Sequence, residues 1–199
     1  MRTCLITLFL LASTAPATAE DFKFVRELSH DWTIGGGGGT NGQGSCIAIS
    51  EWPSETRGTT KLALWANNDG AILLTLTNRN WSAVQDAEYG DIQISTEDNT
   101  YTGGKSLGVA SGIDKGFSTW MPMEFLGDFG KARRLAAKKG DGWMADLDMV
   151  GSGAALATLK DCLRGVARAD AEWRRDAEQE AHLAEDPFKA SSKPSVVAP

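Results

Sequence analysis

The sequence predicts an α+β fold: a mainly antiparallel β sandwich or open barrel followed by a C-terminal amphipathic helix, held by one disulfide. Between Cys46 and Phe125, apolar residues alternate two apart in short segments separated by turn-forming residues, which is typical of antiparallel strands. Beyond Ser152 the apolar spacing becomes three and four residues, which is typical of a helix with one buried face. Cys46 and Cys162 fall in these two regions, so a bridge between them would join the sheet to the helix.

The start of the chain has the pattern of a cleavable secretory signal. Arg2 precedes an apolar run at 4–12, and the small-residue ending Ala17-Thr18-Ala19 comes before Glu20. We therefore predict a signal peptide at 1–19 and a mature protein that is periplasmic or secreted. The apolar run is shorter than the roughly 20 residues that span a bilayer, so no stable membrane insertion is expected after cleavage.

The compartment decides how the cysteines are interpreted. Cys4 would leave with the signal peptide, and the remaining pair, Cys46 and Cys162, would enter an oxidising environment. Disulfides form and persist in such compartments, so one bridge between these two residues is expected.

Length and charge limit the domain count and the class of partner. The chain has 199 residues and a formal net charge of −6. We predict one β-rich domain at 20–168, then a polar helical extension and disordered tail at 169–199. Nucleic acid is not expected as a partner, because binding it requires a Lys/Arg surface that neutralises phosphates.

The first half of the domain is predicted to be loop and strand. The glycine run 35–39 leads into an apolar strand pattern and not into a helix, so it predicts a flexible loop and not a phosphate-binding turn. The turn Asn68-Asp69-Gly70 is the strongest hairpin signal, because Asp-Gly tolerates positive φ angles. Strands are predicted at the alternating sets Ile47/Ile49, Leu62/Leu64, Ile72/Leu74/Leu76 and Ile92/Ile94.

The second half is predicted to alternate helix, strand and helix. Residues 128–139 have the pattern of a short helix with basic residues near its end. A strand follows at 143–149, with Trp143, Leu147 and Met149 on its buried face. Ser152 can cap the final helix, whose apolar stripe carries Cys162 inward.

No residue set matches a catalytic site. A nucleophile needs a positioned base, and the chain has two histidines, His30 and His182, in its N-terminal and polar C-terminal segments. Asp146 and Asp148 share one strand face, but paired acids on an amphipathic strand are usually a solvated outer face. The sequence therefore predicts a protein that is not an enzyme and needs no cofactor.

Exposed aromatic side chains indicate binding. The chain has seven tryptophans. Trp65 is predicted on the face of its strand opposite to Leu62 and Leu64, and Trp52 on the same face as the polar residue Ser50. Trp52 and Trp65 therefore predict an exposed aromatic surface. We expect an exported, non-enzymatic protein that binds another macromolecule, an envelope protein, in an inhibitor, immunity or accessory role.

A second hypothesis concerns the segment Trp120-Met121-Pro122-Met123. A Met-x-Met pair beside a tryptophan, with a distant histidine such as His30, resembles the site of small periplasmic Cu(I)/Ag(I) chaperones. Soft thioether ligands select monovalent copper. This resemblance implies Cu(I) or Ag(I) binding by Met121, Met123 and His30.

Overall fold

The computed structural model describes residues 23–38, 44–102 and 104–184. The predicted signal peptide and the end of the tail, 185–199, lie outside these residues. The described elements are β1 (Lys23–Glu27), β2 (Thr33–Gly37), β3 (Ser45–Trp52), β4 (Thr60–Asn67), β5 (Ile72–Asn78), β6 (Glu88–Tyr89), β7 (Ile92–Ser95), β8 (Thr100–Tyr101), β9 (Ser106–Ser111), β10 (Asp114–Met121), α1 (Phe125–Lys131), β11 (Arg134–Lys139), β12 (Gly142–Asp148) and α2 (Ser152–Ala184).

The strands form two antiparallel sheets. The larger has the order β1-β2-β3-β4-β5-β10-β9-β6, and the smaller has the order β12-β11-β7-β8. The inner faces of both sheets contribute to one buried core, and α2 packs on β2 and β3. The predicted antiparallel α+β fold with a C-terminal helix is confirmed.

The large sheet has one buried face, and this follows from period-two alternation. Leu62 and Leu64 on β4 and Leu74 and Leu76 on β5 have no exposed surface and lie in register across the two strands. Because successive side chains point to opposite faces, the residues between them form the outer face of the sheet.

The predicted disulfide between Cys46 and Cys162 is confirmed and joins β3 to α2. Both residues are fully buried. Gly36 lies directly opposite Cys46 on β2, where a Cβ atom would come within 2.4 Å of the Cys162 sulfur and 2.8 Å of the Cys46 sulfur. The bridge therefore occupies the space that a side chain on β2 would need.

This packing corrects the prediction for the glycine run. Gly35, Gly36 and Gly37 belong to β2 and pair with β3 on one side and β1 on the other. A flexible loop was expected because glycine leaves the backbone unrestrained. Here the sheet pairing restrains it, and the missing side chain makes room for the sulfurs. Residues 39–43 of the same region lie outside the described part.

The predicted hairpin turn at Asn68-Asp69-Gly70 is present between β4 and β5. Gly70 has φ of +89°, the left-handed region that glycine adopts without strain. The backbone N–H of Ala71 donates to the side-chain oxygens of Asn67 and Asp69, at 2.9 and 3.0 Å. These bonds close the turn and fix the register of the two strands.

The predicted helix at 128–139 is wrong beyond Lys131. The helix α1 ends at Lys131, Ala132 is extended, and Arg134–Lys139 forms β11 between β7 and β12. Leu135 and Ala137 have no exposed surface there. Pairing on both edges and burial of this face outweigh the high helix propensity of the Arg, Leu, Ala and Lys residues in the segment.

The predicted burial of Trp143 is also wrong, because β12 contains a bulge. Ala137 pairs with Ala145, but Lys138 pairs with Trp143, so Met144 is an extra residue in the register. One extra residue reverses the face on which earlier side chains lie. Trp143 is consequently 65% exposed, with the Lys138 ammonium 4.0 Å from its ring centre.

The final helix extends well past the sheet it covers. Its buried stripe includes Ala155, Leu159, Cys162 and Val166. Asp170 is buried at the end of this stripe and accepts hydrogen bonds from the backbone N–H of Gly44 and from the Asn68 amide. Most of the helix beyond Asp170 is exposed.

Within the described residues, no helix has both the length and the apolar character needed to cross a membrane.

Candidate functional site

An apolar strip crosses the outer face of the eight-stranded sheet. In register from β3 to β10 it consists of Ile47, Trp65, Leu73 and Trp120, which we call the tryptophan strip. Trp65 is 43% exposed and Trp120 is 59% exposed. Leu73 lies directly between the two indoles, so the three side chains follow one line across the strands.

The alternation of each strand forces these tryptophans outward. On β4 the neighbours of Trp65, Leu64 and Ala66, are buried; on β10 the neighbours of Trp120, Thr119 and Met121, are buried. Since one face of the sheet is committed to the core, the intervening residue must face away from it. The outward position of both indoles is therefore a direct consequence of core packing.

Hydroxyl side chains lie beside the strip. One step along the strands, Thr75 and Ser118 are cross-strand partners on the same face as Leu73 and Trp120. Their hydroxyl oxygens lie 2.7 Å apart, and either can be the donor. The apolar strip is thus bordered by groups that can form hydrogen bonds.

Charged side chains on this face lie further along the strands. Lys61, four residues from Trp65 on β4, contacts Asp114 at 3.1 Å and Glu51 at 3.3 Å. The hydrogen bond to Asp114, followed by that to Glu51, raises the pKa of Lys61. One cation is therefore shared by two carboxylates, and the tryptophan strip itself contains no charged side chain.

Trp52, the other predicted surface tryptophan, does not join the strip. It shares its face with Ser50, which is 3% exposed, so this face is the inner one. Its ring lies edge-on to Trp32 with centroids 5.9 Å apart, and its indole N–H donates to the Asp148 carbonyl at 2.8 Å. The prediction that Trp52 lies on the exposed face is therefore wrong. It failed because Ser50, although polar, is buried.

Trp120 takes the place that the sequence analysis gave to Trp52. The signal that could have found it is the alternation of Phe117, Thr119 and Met121, which puts Trp120 on the opposite face. In the sequence Trp120 stands beside the Met-x-Met pattern, and it is not among the predicted surface tryptophans.

The three predicted metal ligands are not brought together. Met121 is 8% exposed on the inner face, whereas Met123 is 52% exposed beyond the strand and lies against Gly70. His30 is in the β1–β2 turn against Gly151. β2 and β10 are separated by four strand spacings, roughly 19 Å, so His30 is far from both methionines.

Among the described residues, no group of three or more His, Cys, Asp or Glu side chains could hold a metal ion.

A cavity of about 280 Å³ lies where the two sheets meet, lined by residues of β7, β8 and β10. Tyr101 borders it, and its hydroxyl donates to Asp128, which also accepts a hydrogen bond from the Asn99 amide. Burial, and then the bond to Asp128, raises the pKa of Tyr101 to about 12. The same bond lowers the pKa of Asp128. The pair fixes α1 to the small sheet.

The Tyr101 phenol should titrate far above its usual range. In the variant Tyr89→Phe, Tyr101 is the remaining tyrosine, and phenolate absorbance should appear with a midpoint near pH 12. In the folded protein Tyr101 keeps its proton at pH values where the same phenol in the unfolded chain, with a pKa of 10, has lost it. This difference stabilises the folded state. The stabilisation is complete below pH 10 and is lost as the pH rises to about 12. Adding Asp128→Asn should lower the midpoint; a midpoint near 10 before that change would contradict the prediction.

Comparison with family models, curated proteins and solved structures found no match for this chain.

Proposed function

We propose that this chain is an exported, non-enzymatic protein, periplasmic or secreted, that binds another macromolecule of the cell envelope through the tryptophan strip. The inhibitor, immunity and accessory roles expected from the sequence share this requirement for a binding surface. They differ in what the partner does once it is bound.

The observation that carries the proposal is the exposure of Trp65 and Trp120 in one line. Two indoles that are 43% and 59% exposed leave a large apolar area in water. Tryptophan is enriched at the centres of binding surfaces, because it supplies a large contact area with few rotatable bonds. Their side-by-side arrangement with Leu73 distinguishes the strip from single apolar residues scattered on a surface.

The compartment is supported by the disulfide. A fully buried bridge between Cys46 and Cys162 forms and persists in oxidising compartments. The signal pattern at 1–19 predicts export to such a compartment. The partner is then to be sought among the molecules of the envelope.

The test is affinity capture with protein purified from the envelope fraction of expressing cells. The wild-type protein, immobilised, should retain an envelope component, and Trp65→Ala/Trp120→Ala should lose at least about nine-tenths of it. Trp143→Ala is the matched control, because it removes a tryptophan that is 65% exposed on the other sheet. Equal retention by all three proteins would show that the strip is not the binding surface.

A further inference from the structure

We propose that the tryptophan strip binds a neutral, β-1,4-linked glycan chain, one pyranose ring on each indole. This inference rests on the proposed function and names the class of its ligand.

The spacing of the two tryptophans fits such a chain. Trp65 and Trp120 both lie in register with Leu73, so their Cα atoms are two strand spacings apart, about 10 Å. This is also the length of one disaccharide in a β-1,4-linked glycan, whose equatorial bonds keep the chain straight. The two indoles would therefore stack on two sugar rings that have one ring between them, and Leu73 would lie under that middle ring.

The chemistry of the surface also fits. A pyranose ring in such a chain has apolar C–H groups on its faces and hydroxyl groups around its rim. An indole ring can cover the face, since it is a flat apolar surface with a polar edge. Thr75 and Ser118 lie one step along the strands from Leu73 and Trp120, where they can form hydrogen bonds with the rim.

An extended peptide fits this face less well. Peptides in extended conformation usually bind the edge of a sheet, where unpaired backbone groups satisfy their own N–H and C=O groups. On β4, β5 and β10 the backbone is paired on both sides, so a peptide laid across their outer face finds no such partners. A glycan has no backbone amides to satisfy.

A second copy of the chain is also a poor occupant. The strip spans three strand spacings, about 14 Å, and is one to two residues wide, which gives roughly 200 Å². A stable protein interface buries about 800 Å² on each partner. A narrow, linear ligand matches the strip, whereas a flat protein surface would extend over the charged cluster of Glu51, Lys61 and Asp114.

The charge of the protein favours a neutral glycan over an acidic one. The strip has no charged side chain, and the full sequence carries a formal net charge of −6. A glycan rich in carboxylates or sulfates would be repelled by this field.

The test uses isothermal titration with fully N-acetylated chitohexaose, a neutral β-1,4-linked hexamer that is called chitohexaose below, and with maltohexaose, an uncharged α-linked hexamer whose chain is curved, as the control. The protein should bind chitohexaose and bind maltohexaose at least about tenfold more weakly. Trp65→Ala and Trp120→Ala should each raise the Kd for chitohexaose about tenfold, whereas Trp143→Ala should leave it within about twofold. Urea unfolding of each variant checks that these exposed substitutions leave the fold intact.

Three outcomes would overturn the inference: no binding of chitohexaose, equal binding of both hexamers, or an equal loss in Trp143→Ala. If chitohexaose does not bind but envelope capture of a protein still requires Trp65 and Trp120, the glycan inference fails and the proposed function stands. If neither the binding of chitohexaose nor the capture of an envelope component depends on Trp65 and Trp120, the glycan inference and the proposed function both fail.

Discussion

The double substitution Cys46→Ala/Cys162→Ala should lower the free energy of unfolding by about 4–5 kcal/mol. The bridge closes a loop of 116 positions, and a link across so long a loop removes much of the conformational freedom of the unfolded chain. This loss is comparable to the whole stability of many domains. For a protein of this size it corresponds to a decrease in Tm of roughly 10–20 °C.

Urea unfolding with and without reductant provides the measurement. Reductant should destabilise the wild-type protein to a similar extent and should leave Cys46→Ala/Cys162→Ala unchanged, because the variant has no bridge to reduce. Alanine is used because serine would bring a polar hydroxyl into each of two fully buried positions. A wild-type protein whose unfolding midpoint does not respond to reductant would contradict the prediction.

Trp32→Ala should cost about 3–5 kcal/mol of unfolding free energy. Trp32 is 1% exposed and its ring lies edge-on to Trp52 and Phe129, with centroids 5.9 and 5.5 Å apart. Its indole N–H donates to the Val150 carbonyl at 3.1 Å. The substitution leaves a large cavity at the point where β3, α1 and the start of α2 meet.

The matched control for this effect is Trp143→Ala. Because Trp143 is 65% exposed, its removal loses chiefly the contact of its ring with Lys138 and should lower the free energy of unfolding by no more than about 1 kcal/mol. Trp32→Phe should fall between the two, since it keeps an aromatic ring but removes the hydrogen bond to Val150. Equal effects of Trp32→Ala and Trp143→Ala in urea unfolding would contradict the assignment of Trp32 to the core.

Local pattern was sufficient to predict the sheet, the final helix and the bridge. Apolar residues two apart lie on the same face of a strand, so this spacing predicts the buried face wherever one side of a sheet is packed. The fully buried pairs Leu62/Leu64 and Leu74/Leu76 follow this spacing. The bridge could be predicted because the predicted signal peptide includes Cys4, so Cys46 and Cys162 are the one pair left in the predicted mature chain.

The errors arose where a distant partner determines the conformation. Gly36 is in a strand because β1 and β3 pair with both of its edges, and its missing side chain makes room for the sulfur of Cys162, which is distant in sequence. Residues 134–139 are a strand because β7 and β12 pair with both of its edges. Local propensity contains no information about these neighbours.

The sequence predicted one of the two tryptophans of the candidate surface. Trp65 was found because its leucine neighbours identify the buried face. Trp52 was misplaced because Ser50, a polar residue, occupies an inner position, and Trp143 because a single extra residue in β12 reversed its face. The alignment of Trp65 with Trp120 depends on strand order and register, which no single segment of sequence specifies.

The Cys46–Cys162 bridge makes most of the domain a covalently closed ring. Everything from β4 to β12, with α1, lies between the two cysteines. A protease that cuts one exposed loop of this ring, for example at Arg79, opens the ring without separating the two pieces. The nicked protein would keep its intact mass plus one water, and would divide into two fragments only after reduction and unfolding. In a compartment rich in proteases, such a protein can sustain one cut in this region without losing either part of its core.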